Sequence, residues 1–289
     1  MKSDTRLKKP EWLKVSLGGG EGYADIKSRL KKHKLSTVCE EAACPNRGEC
    51  WNARSLTLMI LGEVCPRGCP FCNVTRGDPK PPDPEEPRRV AELIAGLSLN
   101  HAVITCVTRD DLEDGGAEIW KQTINWIRKL APKTSIEALV SDFAGNEAAQ
   151  REIIAAKPDV LAHNLETVSS QYKRARPAAN YERSLSFLSL IAQSGLVAKS
   201  GLMVGLGETD DEIAECLNDL AKCGVSIVTI GQYLQPTPKN LSVERFVSPE
   251  TFKSYERLGL KAGIKQIISG PLVRSSYMAH TYTKILNRG

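Results

Sequence analysis

The sequence predicts an α/β fold, a partial (β/α)6 TIM-type barrel with N- and C-terminal extensions. From about residue 56 onward, short runs rich in β-branched residues alternate with helical patterns. The runs are apolar throughout rather than alternately polar, which is typical of parallel strands covered by helices. Six strong strand and helix units, without a dinucleotide-binding fingerprint, favour a barrel over a doubly wound sheet.

Seven segments have the composition of strands, and the last of them is weaker than the others. In chain order they are SLTLMILG, AVITCV, IEALV, VLAHN, AKSGLMVGL, SIVTIGQYL and KQIISG. In a parallel barrel, the carboxyl ends of the strands meet on the face that carries the chemistry. Cysteine, acidic and amide side chains follow the first, second and fourth segments, so we expect them to reach that face.

Apolar residues three and four positions apart predict the helices between these strands. The clearest stripes consist of Val90, Leu93, Ile94 and Leu97, of Trp120, Ile124 and Ile127, and of Ile213, Cys216, Leu217 and Leu220. Each stripe marks the buried face of one helix.

A proline-rich segment, PKPPDPEEP at residues 79–87, predicts a stiff connector before the first of these helices. We expect three parts in the chain: an N-terminal extension over residues 1–55, the barrel over residues 56–270, and a C-terminal extension over residues 271–289. Both extensions are expected to fold onto the barrel.

The composition is that of an intracellular globular protein. The chain has 289 residues, of which 41% are hydrophobic and 25% charged, so it can bury a sizeable core. Its nine cysteines are an odd number, and no signal peptide precedes them, which indicates a reducing compartment. No apolar run approaches the roughly 18 residues that a membrane helix needs. We therefore expect a cytoplasmic protein that does not contact membranes.

The net charge of +5 is small, but basic residues are concentrated in KSRLKKHK at residues 27–34. Tyr23, Ile26 and Leu30 fall at helical spacing, so the basic side chains are interpreted first as the solvated face of an amphipathic helix. The alternative is that they attract an acidic protein partner. Nucleic acid is the least favoured partner.

Six of the cysteines form two sets of three. The first triplet is Cys39, Cys44 and Cys50, and the second triplet is Cys65, Cys69 and Cys72. A four-iron, four-sulfide cluster normally takes one thiolate per iron, so three cysteines leave one iron free to hold another group. Zinc is the alternative, but it favours four Cys or His ligands, and no His lies near the second triplet in sequence.

The second triplet has the spacing CxxxCxxC, with Phe71 just before its last cysteine. This pattern resembles the signature of radical S-adenosylmethionine enzymes. The resemblance implies that the three thiolates hold a [4Fe-4S] cluster whose fourth iron binds the amino and carboxylate groups of S-adenosylmethionine, and it places Phe71 among the cofactor-binding residues. The first triplet alone is compatible with half of a zinc site or with loosely placed thiols; beside the second triplet, it predicts a second [4Fe-4S] cluster.

Several long segments resemble the lipoyl synthase family. They are KPEWLKV, TVCEEAACPNRGECW, TRDDLEDGGA, HNLETV, KSGLMVGLGE, TIGQYLQPTP and GPLVRSSYMA, which together extend over nearly the whole chain. The resemblance implies that the first triplet holds an auxiliary cluster whose fourth ligand is Ser275, the candidate catalytic residue. Without the resemblance, Ser275 would be interpreted as a turn hydroxyl.

The same resemblance assigns contacts to S-adenosylmethionine. Gly115 and Gly116 resemble the glycine pair that binds its amino group, although Ala117 stands where many radical enzymes have Glu. Asn164 and Glu166 are further candidate contacts. The alternative for these two is that strand-end residues of this kind cap a helix.

The activity that the resemblance implies is insertion of two sulfur atoms, at C6 and C8, into a protein-bound octanoyl-lysine. S-adenosylmethionine would supply the radicals, and the auxiliary cluster would be consumed as the sulfur donor. The implied partners are an octanoylated lipoyl carrier domain (of an E2 subunit or the glycine cleavage H protein), ferredoxin or flavodoxin as electron donor, and a cluster-assembly carrier.

Two other functions use some of the same features. A radical methylthiotransferase also combines three upstream cysteines with CxxxCxxC, but it ordinarily has a larger N-terminal domain and a C-terminal nucleic-acid module. A zinc-stapled nucleic-acid-binding protein could use six cysteines and a positive charge, but it has no need of six strand and helix units.

Overall fold

The computed structural model describes residues 7–15, 19–277 and 279. The first six residues of the predicted N-terminal extension and residues 280–289 of the C-terminal one lie outside this description. The strands are β1 (Ser36–Thr37), β2 (Thr57–Ile60), β3 (Val64–Cys65), β4 (Thr75–Arg76), β5 (His101–Cys106), β6 (Ser135–Leu139), β7 (Val160–Ala162), β8 (Val197–Val204), β9 (Ile227–Gln232) and β10 (Gln266–Gly270).

The helices surround this set of strands. They are α1 (Glu21–His33), α2 (Val38–Glu41), α3 (Arg47–Asn52), α4 (Glu86–Leu97), α5 (Ala117–Leu130), α6 (Glu147–Ala155), α7 (Tyr172–Ala175), α8 (Tyr181–Gln193), α9 (Asp210–Lys222) and α10 (Pro249–Ala262). Among the described helices, none is long and apolar enough to span a membrane.

The central sheet has eight strands in the order β1-β2-β5-β6-β7-β8-β9-β10. Every pairing in it is parallel except that of β1 with β2. A helix lies between each parallel strand and the next, as in a barrel of six strand and helix units that ends on a seventh strand. The prediction of a parallel partial barrel is confirmed, and the weak segment KQIISG contains the last strand.

The apolar stripes predicted for the helices are buried, and together with apolar side chains of the strands they form the main core. Local capping fixes where helices begin. Thr209 and Glu212 make a reciprocal capping box at the start of α9, and Ser248 caps α10 just before Pro249. The connector predicted over residues 79–87 is shorter than expected, because α4 already begins at Glu86 and takes Pro87 into its first turn.

The segment after β10 runs back toward β2. The hydroxyl of Thr57, the first residue of β2, donates to the Ser276 hydroxyl at 2.6 Å. Ala279 packs with Val103 of β5 and Ile227 of β9. The C-terminal segment therefore brings residues 272–277 against the strand that precedes the second triplet.

Candidate functional site

The second triplet lies in the loop that follows β2, at the carboxyl edge of the barrel sheet. Cys65 is the last residue of β3, which pairs with β4 and closes the loop at its base. All three cysteines of this triplet are half-buried and form no disulfide. The loop thus presents free thiols on the face where the sequence predicts the chemistry.

A distant loop holds the backbone of this cysteine loop. The Asn240 side-chain amide donates to the carbonyl oxygens of Pro70 and Cys72, at 3.2 and 2.9 Å. Phe71 packs into a small apolar cluster with Leu206 and Tyr233. These contacts hold the loop through protein atoms alone, and they give Phe71 a packing role.

The thiols of the second triplet influence one another. Burial, with a smaller contribution from the neighbouring Cys69 and Cys65 thiols, raises the pKa of Cys72 to about 11. Burial also raises the pKa of Cys69. Because metals bind thiolates, any metal held by these three cysteines would have to displace their protons.

Gly115 and Gly116 form the turn between β5 and α5. Both have positive φ, at 59° and 88°, and a Cβ on Gly116 would lie 2.5 Å from Leu61 Cδ1. Their N–H groups already donate to the Leu112 carbonyl and the Asp114 carboxylate. Among the described residues, no backbone N–H donates to the Gly115 carbonyl, which is the kind of acceptor that an ammonium group requires.

Asn164 and Glu166 follow β7 and face the same end of the barrel. The Asn164 side-chain amide donates to Glu166 Oε1 at 3.0 Å, while Asn164 Oδ1 is buried with no hydrogen-bond partner in the described part of the chain. A Cβ on Gly201 would come within 2.8 Å of that oxygen. Neither residue caps a helix, and a buried amide oxygen without a hydrogen-bond partner is uncommon.

Arg176 holds the backbone at Asn164 and Leu165. Its guanidinium donates to the carbonyl oxygens of Asn164 and Leu165, at 2.9 and 3.0 Å. Burial raises the pKa of Glu166, and the charge of Arg176 opposes that rise. The backbone that carries Asn164 and Glu166 is therefore held in place by a buried guanidinium group.

The first triplet lies on two short helices just before β2. Cys39 is in α2 and buried, Cys50 is in α3, and Cys44 lies in the turn between those helices. Burial raises the pKa of Cys50 to about 12, with the Cys44 and Cys39 thiols adding to the effect. Burial also raises the pKa of Cys39, and a hydrogen bond with the backbone of Thr57 opposes that rise. The three thiols are therefore close together and adjacent to the start of β2.

The C-terminal segment closes over the first triplet through contacts that span more than two hundred positions. The Asn46 side chain donates to the Leu272 carbonyl at 2.7 Å, and the Tyr277 hydroxyl donates to Glu49 at 3.3 Å. These bonds flank Ser275 on both sides and bring its segment against the turn and helix that carry Cys44 and Cys50.

Arg274 lies in the same segment, next to Cys44. Burial lowers the pKa of Arg274, and the Cys44 thiol opposes that change. Its guanidinium also donates to the Val273 carbonyl at 2.7 Å. A cationic side chain beside these thiols would offset the negative charge of thiolates in the occupied site.

The two triplets form adjacent but separate sites. The first touches Thr57 at the start of β2, and the second follows Ile60 at its end, so one strand of about 10 Å lies between these points. The Asn73 side chain, next to Cys72, donates to the Glu41 carbonyl at 2.7 Å and joins the two cysteine segments.

The donor sets suit iron–sulfur clusters. Among the described residues, no three His, Cys, Asp or Glu side chains gather tightly enough to hold a single metal ion. A four-iron cluster binds each thiolate at a different iron, so its ligands need not meet at one point. Three half-buried or buried thiols in each set match the three-cysteine requirement.

Sequence reasoning did not single out Asn240, Asn46 or Arg274. An arginine or asparagine in a loop has no periodic pattern, and the partners of Asn46 and Asn240 lie 226 and up to 170 positions away. The sequence offered one signal for these residues, which is that they lie inside or beside the segments that resemble the lipoyl synthase family.

Profiles of two protein families match the chain. The Radical SAM superfamily matches residues 59–220, which is more than half of the sequence. The N-terminal domain of lipoyl synthase, of the Radical SAM family, matches residues 1–44.

Curated relatives match over essentially the full length. A lipoyl synthase of Bacteroides fragilis is 49% identical over 288 residues, which is 100% of both chains. A lipoyl synthase of Nitratidesulfovibrio vulgaris is 49% identical over 279 residues, covering 96% of this chain and 94% of the relative.

Solved structures share the fold at low identity. Streptococcus suis SuiB bound to S-adenosylmethionine is 11% identical with a TM-score of 0.57, covering 86% of this chain and 54% of SuiB. Methylornithine synthase is 14% identical with a TM-score of 0.53, covering 94% of this chain and 89% of the other. Both likenesses concern the fold alone.

Proposed function

The chain belongs to the lipoyl synthase family of radical S-adenosylmethionine enzymes, and from this premise we propose that its two cysteine triplets hold two [4Fe-4S] clusters with different fates. The reaction of the family inserts sulfur at C6 and C8 of a protein-bound octanoyl-lysine. The methylthiotransferase and zinc-stapled alternatives do not fit relatives that match over the full length.

The second triplet is proposed to hold the cluster that binds S-adenosylmethionine. When bound, the two clusters and S-adenosylmethionine supply an electron, a carbon-centred radical able to remove hydrogen from an unactivated methylene, and sulfide. The protein's own part is to leave one iron without a side-chain ligand and to place acceptors around the cofactor. Gly115 and Gly116 would receive its amino group, while Asn164 and Glu166 would receive its hydroxyl groups.

The observation that carries the proposal is the closure of the C-terminal segment on the first triplet. Asn46 and Tyr277 fasten the segment on either side of Ser275. A serine oxygen is a harder and more easily protonated ligand than a thiolate, so it suits a cluster that must be taken apart. We therefore assign Ser275 as the fourth ligand of the auxiliary cluster, beside Cys39, Cys44 and Cys50.

The barrel is proposed to exclude water from the acyl chain, which must reach between the two triplets. The three parts then have separate tasks: residues 1–55 and 271–289 form the auxiliary site, and residues 56–270 form the radical site. The exposed basic residues of α1 would attract an acidic carrier domain. We propose that ferredoxin or flavodoxin donates the electrons and that a cluster-assembly carrier delivers the clusters. The proposed location is the cytoplasm.

The test is anaerobic turnover with an octanoylated carrier peptide, followed by mass spectrometry. Wild-type protein should form the lipoyl product and contain about eight irons per chain. Cys44→Ala and Ser275→Ala should still cleave S-adenosylmethionine but form little or no product. Product formation at the wild-type rate by Cys44→Ala would show that the first triplet is not the donor site.

Ser276→Ala is the matched control, since it removes a neighbouring hydroxyl from the same segment. It loses the hydrogen bond from Thr57, which is worth about 1 kcal/mol. Its product yield should remain close to that of wild type. An equal loss of product in both serine variants would point to disruption of the segment rather than loss of a ligand.

A further inference from the structure

Arg67 lies between Cys65 and Cys69, yet its side chain points away from solvent and toward two other loops. Its guanidinium makes a two-pronged bond to Asp110, at 2.6 and 2.9 Å, and a third bond to Asp142 at 2.6 Å. Only 5% of the Arg67 side chain is exposed. Three loops, those after β2, β5 and β6, therefore meet at one cation.

Asp142 accepts hydrogen bonds from two arginine side chains, Arg67 and Arg183. Its side chain is fully buried, and the bond from Arg183 of α8 measures 2.6 Å. Burial alone would raise the pKa of Asp142, but the charge of Arg67 lowers it well below its usual range. The carboxylate is thus held ionised between two guanidinium groups.

Asp142 begins a strained turn that supports Gly115. Phe143 and Ala144 have φ values of 51° and 52°, a left-handed conformation that non-glycine residues rarely adopt. A Cβ on Gly115 would lie 3.0 Å from Phe143 Cδ1. Strain of this kind persists where surrounding bonds fix the backbone, as the bonds to Asp142 do here.

Asp110 links Arg67 to the other side of the Gly115 loop. Consecutive turn hydrogen bonds run from Leu112 N to Arg109 O and from Gly115 N to Leu112 O. Asp110 lies inside this short run, so its bond to Arg67 sets the distance between the cysteine loop and the glycine turn.

We propose that Arg67 is a positioning residue that aligns the cysteine loop with the Gly115 turn, so that the cluster and the amino group of S-adenosylmethionine meet in a fixed geometry. The inference rests on the proposed function. Arg67 acts through Asp110 and Asp142 and does not itself bind the cofactor. A fork of planar N–H groups is required, because one side chain must serve two carboxylates at once.

The test compares Arg67→Met and Arg67→Lys with wild type, and Arg88→Met is the matched control because it removes an exposed ion pair with Glu92. Cluster content is measured as iron per chain. Binding of S-adenosylmethionine is measured from the change that it causes in the electron paramagnetic resonance spectrum of the reduced cluster. The melting temperature of the reconstituted protein is recorded for each variant.

Arg67→Met should keep the iron of the second triplet, since its three cysteines remain, but should bind S-adenosylmethionine at least tenfold more weakly. The KM for its cleavage should rise more than kcat falls. Arg67→Lys should recover part of the affinity through one ammonium contact, and Arg88→Met should match wild type.

Asp110→Asn keeps the test decisive if Arg67→Met fails to fold, because it weakens the outer contact and leaves the buried pair with Asp142 intact. It should weaken cofactor binding several-fold. If folded Arg67→Met or Asp110→Asn bound S-adenosylmethionine with wild-type affinity and gave an unchanged electron paramagnetic resonance spectrum, the inference about Arg67 would be wrong and the proposed function would stand. A wild-type protein whose cluster does not respond to S-adenosylmethionine would instead overturn the proposed function.

Discussion

Replacing Gly116 with alanine should distort the glycine turn in a way that can be worked out from its surroundings. At φ 88° a side chain is strained in any environment, which costs about 1–2 kcal/mol. The new Cβ would also lie 2.5 Å from Leu61 Cδ1. Leu61 is buried and its N–H donates to Glu86 at 2.7 Å, so it has little room to move.

The clash adds about 1–3 kcal/mol, the usual range for overpacking a core. Gly195 provides the matched control, because its φ is 84° and a Cβ there would meet nothing within 4 Å. Gly195→Ala should therefore lower the free energy of unfolding by the backbone cost alone. The difference between the two variants isolates the contact with Leu61.

The assay is urea denaturation of the metal-free protein, with the free energy of unfolding extrapolated to water. Gly116→Ala should also raise the KM for S-adenosylmethionine by more than tenfold, because the neighbouring Gly115 carbonyl is displaced, whereas Gly195→Ala should leave it unchanged. Equal losses of stability in both variants, with equal KM values, would refute the reasoning about this turn.

Three further results are expected. Burial, together with the charge of Arg176, lowers the pKa of His163 from 6.5 to about 4. As pH falls below 6.5, the unfolded chain therefore takes up a proton at His163 that the folded protein does not bind. Up to about 3 kcal/mol of the free energy of unfolding should be lost between pH 6.5 and pH 4. His163→Asn should flatten that dependence in urea titrations, and an unchanged slope would contradict it. Asn240→Ala should speed release of iron from the second triplet to a chelator, because two loop hydrogen bonds are lost; unchanged release would show that the loop is held otherwise. Asn46→Ala should reduce product yield without slowing S-adenosylmethionine cleavage, and parallel losses of both would count against a role confined to the auxiliary site.

The barrel could be predicted because its signals are local. Continuous apolar runs gave the parallel strands, and stripes such as Ile213 to Leu220 gave the buried helix faces. The amphipathic helix predicted around residues 23–34 is also present as α1, with Ile26 and Leu30 buried. These features follow from periodicity within one segment.

Short elements and long-range contacts could not be predicted in the same way. The two-residue strands β1, β3 and β4 are too short to carry a pattern. The bonds of Arg67 join loops 43 and 75 positions apart, and they exist only because the parallel sheet brings those loops to one edge. The cysteine spacing located both triplets, but it could not show what holds each of them in place.

The two-cluster assignment is a prediction from the family resemblance, and the structure adds a specific arrangement to it. The first triplet, Ser275 and Arg274 are gathered at one place by a segment more than two hundred residues away in sequence. The second triplet has two anchors of its own, Asn240 and Arg67, while the bond from Asn73 to the Glu41 carbonyl joins the two cysteine segments. Anchors that the first triplet does not share are what one would expect at the second if one site were dismantled in each reaction while the other endured.

The most direct test of that claim follows sulfur from the protein to the product. Wild-type protein is reconstituted with isotopically heavy sulfide, freed of excess sulfide, and allowed one turnover on an octanoylated peptide without other sulfur sources. The account predicts that both inserted atoms are heavy and that the iron bound at the first triplet is lost while that at the second remains. Product carrying light sulfur, or full retention of iron at the first triplet, would contradict it.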